Sequence, residues 1–154
     1  MRKPGIIFVV CALSLMMIIQ SCERGSNRTN ISQAGGTNSH KMGQNCMNCH
    51  VSGGEGTGWF TAAGTVYTLD SSSTYTNPVI QLYTAPDSLG NQTLVTTING
   101  DARGNAFTTA SIDYGSGLYP VVVGAHGKKY MAASITQGTC NGCHGVTTGR
   151  IVAN

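Results

Sequence analysis

Charged residues are scarce in this chain, and the scarcity narrows the classes of function that it can serve. Asp, Glu, Lys and Arg make up only 10% of the 154 residues, and the formal net charge is +3. There is no basic run and no alternation of basic with aromatic residues, so a nucleic-acid partner is not expected. No Ser-His-Asp arrangement, carboxylate pair or phosphate-cradling loop stands out either, and the sequence therefore favours neither a hydrolase nor a nucleotide-binding protein.

Apolar runs long enough to cross a membrane are also missing. An uncharged, largely apolar stretch extends from Ile6 to Ile19 behind Arg2 and Lys3, but a spanning helix needs about 20 residues. A charged start and a short apolar stretch are typical of an export signal. The next residues, Gln20-Ser21-Cys22, resemble the lipobox of bacterial lipoproteins, which implies cleavage before Cys22 and acylation of its thiol. Ordinary signal cleavage nearby, with Cys22 left free, is the alternative.

Four of the six cysteines belong to two copies of one short motif. Cys46-Met47-Asn48-Cys49-His50 and Cys140-Asn141-Gly142-Cys143-His144 both read Cys-x-x-Cys-His, the attachment signature of c-type haem. The two-residue spacing lets the thiols bond to the two vinyl groups of one porphyrin, while the adjacent histidine reaches the iron. The sequence therefore predicts two haem c groups. Thioether bonds are expected at Cys46, Cys49, Cys140 and Cys143, with His50 and His144 as the proximal iron ligands.

A zinc site formed by all four motif cysteines is the alternative, because Cys-x-x-Cys pairs also bind zinc or form redox disulfides. A histidine directly after both pairs, the export signal and the lack of a thioredoxin-like strand and helix around either pair favour haem. With Cys11 in the signal and Cys22 acylated, no cysteine remains for a structural disulfide, which is the usual role of cysteine in exported proteins.

The sixth iron ligands must come from the remaining histidines and methionines. For the first haem, His40 is preferred, since the ten residues up to His50 can span about 33 Å. Met42 or a solvated, unbound His40 is the alternative. For the second haem, Met131 is preferred over His126, and packing of Met131 in the core is its alternative. The choice matters because a methionine ligand raises the haem potential, whereas a second histidine lowers it.

The rest of the mature chain divides by composition. Residues 1–21 form the predicted signal, and the polar residues 22–43 predict a flexible tether. Residues 44–58 and 136–154 are the two haem-binding segments. Between them, residues 59–135 show short alternating apolar runs separated by turn residues, as in an all-β sandwich. The predicted strands are Trp59–Leu69, Pro78–Thr84, Thr93–Ile98, Ala106–Ser111, Tyr119–Ala125 and Lys129–Ile135.

The central region resembles the carboxypeptidase regulatory-like, transthyretin-type β-sandwich. The resemblance rests on Gly64-Thr65-Val66-Tyr67, Pro78-Val79-Ile80-Gln81-Leu82, Gly104-Asn105-Ala106-Phe107 and Leu118-Tyr119-Pro120-Val121-Val122-Val123. It implies a single immunoglobulin-like or transthyretin-like β-sandwich. Together with the two motifs, it predicts a mainly β protein with haem-binding loop segments at both ends of the sandwich.

From Gly43 to its end, the chain resembles small multihaem cytochromes of environmental bacteria. In these proteins a Cys-x-x-Cys-His segment precedes a β-sandwich, and Cys-Asn-x-Cys-His-Gly closes the domain. The resemblance implies electron transfer outside the inner membrane and a methionine at the place of Met131.

The sequence as a whole predicts a dihaem c-type cytochrome that carries electrons and is not an enzyme. It is expected to be exported, anchored by lipid at the outer membrane, and to meet redox partner proteins or an extracellular acceptor. One alternative is a self-associating subunit of a cytochrome filament or outer-membrane conduit. A haem-bearing module that binds a surface and a small haem peroxidase with one open iron are the others.

Overall fold

The computed structural model of the protein describes residues 26–87 and 90–154. The predicted export signal and the predicted lipidation site Cys22 lie outside these residues. No helix within the described ranges is both long and apolar enough to cross a membrane.

The described residues form two packed β-sheets, so the predicted fold class, mainly β and consistent with a sandwich, is confirmed. The strands are β1 Ala62–Tyr67, β2 Val79–Tyr83, β3 Leu94–Asn99, β4 Asn105–Thr108, β5 Tyr119–Gly124, β6 Gly127–Tyr130, β7 Gly138–Thr139 and β8 Ile151–Val152. In the first sheet β1 is central, with β4 antiparallel to it and β7 and β8 parallel to it. The second sheet has the order β3-β2-β5-β6 and is antiparallel throughout.

Alternation along β1 divides its side chains between two surroundings. Ala62 and Val66 belong to the core that fills the space between the sheets, together with Ile80 and Val122 of the second sheet. Thr65 points to the opposite face, where it receives a hydrogen bond from the backbone N–H of Gly43. Every residue of β1 is buried, because the outer face of this strand is covered by the N-terminal segment.

Residues 26–43 differ from the flexible tether that their composition predicts. Ser32 is buried, and its hydroxyl bonds to the backbone oxygens of Asn99 and Phe107, while its N–H donates to Phe107. The backbone N–H of Asn30 donates to the hydroxyl of Thr109. These long-range hydrogen bonds hold the segment on the edge of β4, and local composition carries no sign of them.

The short strands β7 and β8 were not predicted from the sequence, and they frame the second motif. β7 pairs with the start of β1 and β8 with its end. The loop between them, residues 140–150, therefore lies beside the middle of β1. A strand of two residues is too short to show an alternating pattern, which is why sequence inspection misses both.

The last predicted strand is displaced toward its N-terminus. β5 and β6 are joined by the two-residue loop Ala125-His126, since Gly124 pairs with Gly127. β6 ends at Tyr130, so Met131 follows the strand rather than lying within it, although its N–H still donates to the oxygen of Pro120.

Candidate functional site

The first motif is folded as a 3₁₀ turn, Cys46–Asn48. Its start is capped by the side chain of Asn45, which accepts a hydrogen bond of 3.1 Å from the N–H of Met47. The N–H groups of Cys49 and His50 both donate to the oxygen of Cys46. This tight turn places both thiols and the imidazole on the wall of one cavity of about 320 Å³.

The imidazole of His50 is held by the loop that follows it. Its Nδ1 lies 3.0 Å from the oxygen of Thr57 and 3.2 Å from that of Gly58. Carbonyl oxygens only accept hydrogen bonds, so Nδ1 is the donor here and Nε2 is the nitrogen left available to a metal ion. Phe60 stacks on the same ring with centroids 4.1 Å apart and planes 7° apart. Metal-binding histidines are typically held in this way through the second nitrogen.

His40, the predicted sixth ligand, lines the same cavity as His50. The two ring centroids are 6.2 Å apart and the planes are inclined by 38°. Two imidazoles that bind one metal ion from opposite sides, through nitrogen bonds of about 2 Å, have centroids about 6 Å apart. The alternative ligand Met42 is 42% exposed and does not contribute to this cavity wall.

The second motif repeats the fold of the first. Cys140–Gly142 forms a 3₁₀ turn, and the N–H groups of Cys143 and His144 donate to the oxygen of Cys140. The Nδ1 of His144 lies 2.7 Å from the oxygen of Gly149. By the same reasoning as for His50, Nδ1 is the donor and Nε2 is the nitrogen left available to a metal ion.

Asn141 anchors the second motif to the sandwich. Its side chain is buried, and Oδ1 accepts a hydrogen bond of 2.7 Å from the N–H of Thr65. The amide thus takes the place of a strand partner at the middle of β1, between β7 and β8. Gly64 allows the close approach, because a Cβ at this position would lie 2.8 Å from the Cβ of Cys140.

The second cavity, of about 450 Å³, lies between the inner surface of β5 and β6 and the edge formed by β7 and β8. Cys140, Cys143 and His144 line it, and so does Met131, one of the two predicted sixth ligands. The other candidate, His126, is exposed in the hairpin loop and is not part of the wall. The rest of the lining is largely apolar and includes Lys129 and Arg150. The guanidinium of Arg150 lies over the Tyr67 ring and donates a hydrogen bond to the oxygen of Ser71.

The two motifs touch each other. The hydroxyl of Thr139, the residue before Cys140, donates a hydrogen bond of 3.1 Å to the side-chain oxygen of Asn45, the residue before Cys46. The thiol of Cys46 is near enough to raise the pKa of the Cys140 thiol. The two motifs are therefore neighbours in the structure, although each lines its own cavity.

Burial determines the protonation of two of the thiols. It raises the pKa of Cys140 to about 11, with a smaller contribution from the neighbouring thiols. Burial likewise raises the pKa of Cys46. Both groups are therefore neutral at physiological pH and less reactive than exposed thiolates.

The cysteines are divided two and two between the cavities. The zinc alternative requires all four around one ion. Within residues 26–87 and 90–154, no group of three or more His, Cys, Asp or Glu side chains is placed to hold a metal ion.

Sequence inspection found the cysteines and histidines of both cavities but overlooked the residues that hold them. Asn105 in β4 and Asn141 in the second 3₁₀ turn are both buried. The sequence around them does not indicate which residues their side chains bond to. Asn45 could have been noticed, since Asn before a turn is a common cap.

No family model, no curated protein and no solved structure matches this chain.

Proposed function

We propose that the protein is a dihaem c-type cytochrome that carries electrons outside the cytoplasm. The observation that carries the proposal is the matched arrangement of the two motifs. Each motif presents two cysteines and a histidine to its own cavity, and each histidine is held through Nδ1 so that Nε2 remains free. Both cavities fall in the range of about 300–1,000 Å³ that is usual for cofactor sites.

The residues of the first cavity fit a haem with two histidine ligands. Cys46 and Cys49 would form the thioether bonds, while His50 and His40 would bind the iron from the two sides. The 6.2 Å between the ring centroids suits this role. Phe60 keeps the plane of His50 fixed by stacking on it.

The residues of the second cavity fit a haem with one histidine and one methionine ligand. Cys140 and Cys143 would form the thioether bonds, and His144 and Met131 would bind the iron. The largely apolar lining suits the faces of a porphyrin, and Lys129 is a basic residue of the wall that could pair with a propionate.

Each haem, when bound, supplies an iron that changes between the ferric and ferrous states. The protein determines how readily this happens through the axial ligands. Two histidines at the first site favour the ferric state, whereas Met131 at the second site favours the ferrous state. The proposed ligand sets therefore give the two sites unequal potentials, the second being higher.

A peroxidase would need an open iron position and a distal acid-base group. Ligand candidates line both cavities opposite or beside the motif histidines, so the arrangement favours an electron carrier. Redox partner proteins or an extracellular acceptor would exchange electrons with it, and acylation of Cys22 would attach it to the outer membrane.

Paired cysteine substitutions test the proposal. The protein is produced in a host that attaches haem c, and covalent haem is counted by the pyridine haemochrome method. We expect two haems in the parent and one in either Cys46→Ala/Cys49→Ala or Cys140→Ala/Cys143→Ala. Haem counts that do not change with either pair would contradict the assignment of the motifs.

A further inference from the structure

We propose that Thr65 divides its hydrogen-bonding groups between the two sites, and that its hydroxyl, acting through Asn105, positions His40 as the sixth ligand of the first site. The proposal rests on the dihaem function above and adds positioning residues that the motifs do not contain. Thr65 lies in the middle of β1 and is completely buried.

The hydroxyl of Thr65 is fully occupied. It donates a hydrogen bond of 2.6 Å to Oδ1 of Asn105 and accepts one of 2.8 Å from the N–H of Gly43. Asn105 is itself buried, and its Nδ2 donates to the hydroxyl of Ser39 at 2.9 Å and to the oxygen of His40 at 3.3 Å. The chain of hydrogen bonds therefore reaches both ends of the segment 39–43.

That segment is bent by a residue in an unfavourable conformation. Lys41 has a φ of 52°, a left-handed value that non-glycine residues seldom adopt without support from their surroundings. Hydrogen bonds hold the chain on both sides of Lys41. Asn105 bonds to Ser39 and His40 before it, and Thr65 bonds to Gly43 after it. Arg103 adds a third contact, since its Nη1 donates to the oxygen of Ser39 at 3.0 Å.

The bend matters because the segment carries His40, whose ring centroid lies 6.2 Å from that of His50. His40 is otherwise exposed, so the position of its ring over the cavity depends on the conformation of its backbone. Without the hydrogen bonds around it, Lys41 can relax to an ordinary conformation and His40 can leave the position opposite His50.

The backbone of Thr65 serves the second site instead. Its N–H donates to Asn141 of the second motif, and a change of the Thr65 side chain leaves this N–H in place. Loss of the hydroxyl is therefore expected to open the first site while the second keeps its ligands.

Thr65→Val tests the proposal, because valine keeps the shape of threonine and removes only the hydroxyl. The full-length dihaem protein is reduced, and carbon monoxide binding is followed by absorption. His40→Ala and Met131→Ala supply the spectra of the first and second sites when each is opened. Thr97→Val, the same change on the exposed face of β3, is the matched control.

We expect Thr65→Val to retain two covalent haems and to bind carbon monoxide with the spectrum of His40→Ala. Its carbon monoxide affinity is expected to be about tenfold above that of the parent, because one buried hydrogen bond that held the ligand segment is lost. Thr65→Ser restores the hydroxyl and is expected to return the parent behaviour. Carbon monoxide binding equal to that of the parent, or an opened spectrum of the Met131→Ala type, would overturn the proposal.

If Thr65→Val does not fold, Ser39→Ala decides the matter, since Ser39 is only half-buried and lies in the N-terminal segment. A rise in carbon monoxide affinity at the first site supports the proposal, and an unchanged affinity overturns it. A parent without covalent haem would refute the dihaem function itself, an outcome distinct from both of these.

Discussion

Replacing Asn141 by alanine is expected to destabilise the protein strongly, although the residue is only one of the two variable positions of its motif. Its side-chain oxygen is the partner of the Thr65 N–H at 2.7 Å. Both residues are buried, with Thr65 at 0% and Asn141 at 3% exposure. The substitution therefore leaves a donor in the interior with no acceptor.

The magnitude follows from the buried N–H and the lost side chain. An unsatisfied buried donor costs about 1–3 kcal/mol, and the removed amide leaves a small void that adds to this cost. We expect the free energy of unfolding to fall by about 2–3 kcal/mol, a large part of the 5–15 kcal/mol that is usual for a domain.

Urea denaturation of the purified holoprotein, followed by circular dichroism, measures the effect. Asn48→Ala in the first motif is the matched control, because Asn48 is exposed and, among the residues that the structure describes, its side chain bonds only to Asn45. The control is expected to lose less than about 0.5 kcal/mol, as is usual for exposed positions. A loss for Asn141→Ala as small as that of the control would refute the role of Asn141 as a partner of β1.

Three further predictions follow from the sites and the loops around them. Met131→Ala is expected to lower the potential of one haem in a potentiometric titration, while His126→Ala leaves both potentials unchanged; the reverse result would make His126 the ligand. Gly64→Ala places a Cβ against Cys140 and is expected to lower the free energy of unfolding in urea by about 1–3 kcal/mol, so an unchanged value would contradict the close approach. The hydroxyl of Thr68 and the N–H of Ser72 hold the pKa of Asp70 at about 2, below the unfolded value of about 4. The ionised Asp70 therefore stabilises the folded state above pH 4, and this stabilisation is lost as the pH falls toward 2. Asp70→Asn should flatten this part of a plot of unfolding free energy against pH, and an unaltered acid limb would show that Asp70 contributes nothing.

Alternation of apolar residues was enough to locate β2, β3 and β5 of the second sheet, but not β6. Val79–Tyr83 and Leu94–Asn99 lie within one residue of their predicted positions, because both strands have one face on the core and one toward solvent. The outer strands of the first sheet were harder to see. β7 and β8 are defined only by pairing with β1, which is distant in sequence.

In the candidate site, too, local patterns revealed some residues, whereas others depend on contacts between distant parts of the chain. Motif spacing alone identified the cysteines and the two adjacent histidines. Chain length left Met131 and His126 equally reachable, and the resemblance to multihaem cytochromes favoured Met131. In the fold, the two-residue hairpin loop leaves His126 exposed, while Met131 follows β6 and lines the cavity wall. The hydrogen bonds of Thr65 and Asn105 join residues far apart in sequence, and no local pattern reveals them.

The absorption spectrum of the purified protein, recorded oxidised and reduced together with a metal analysis, tests the central claim most directly. We predict two covalently attached low-spin haems per chain, with a weak far-red sulfur-to-iron band in the oxidised state from Met131. A protein made with haem attachment factors that shows no Soret band and contains zinc would contradict the account and assign the four cysteines to a metal site instead.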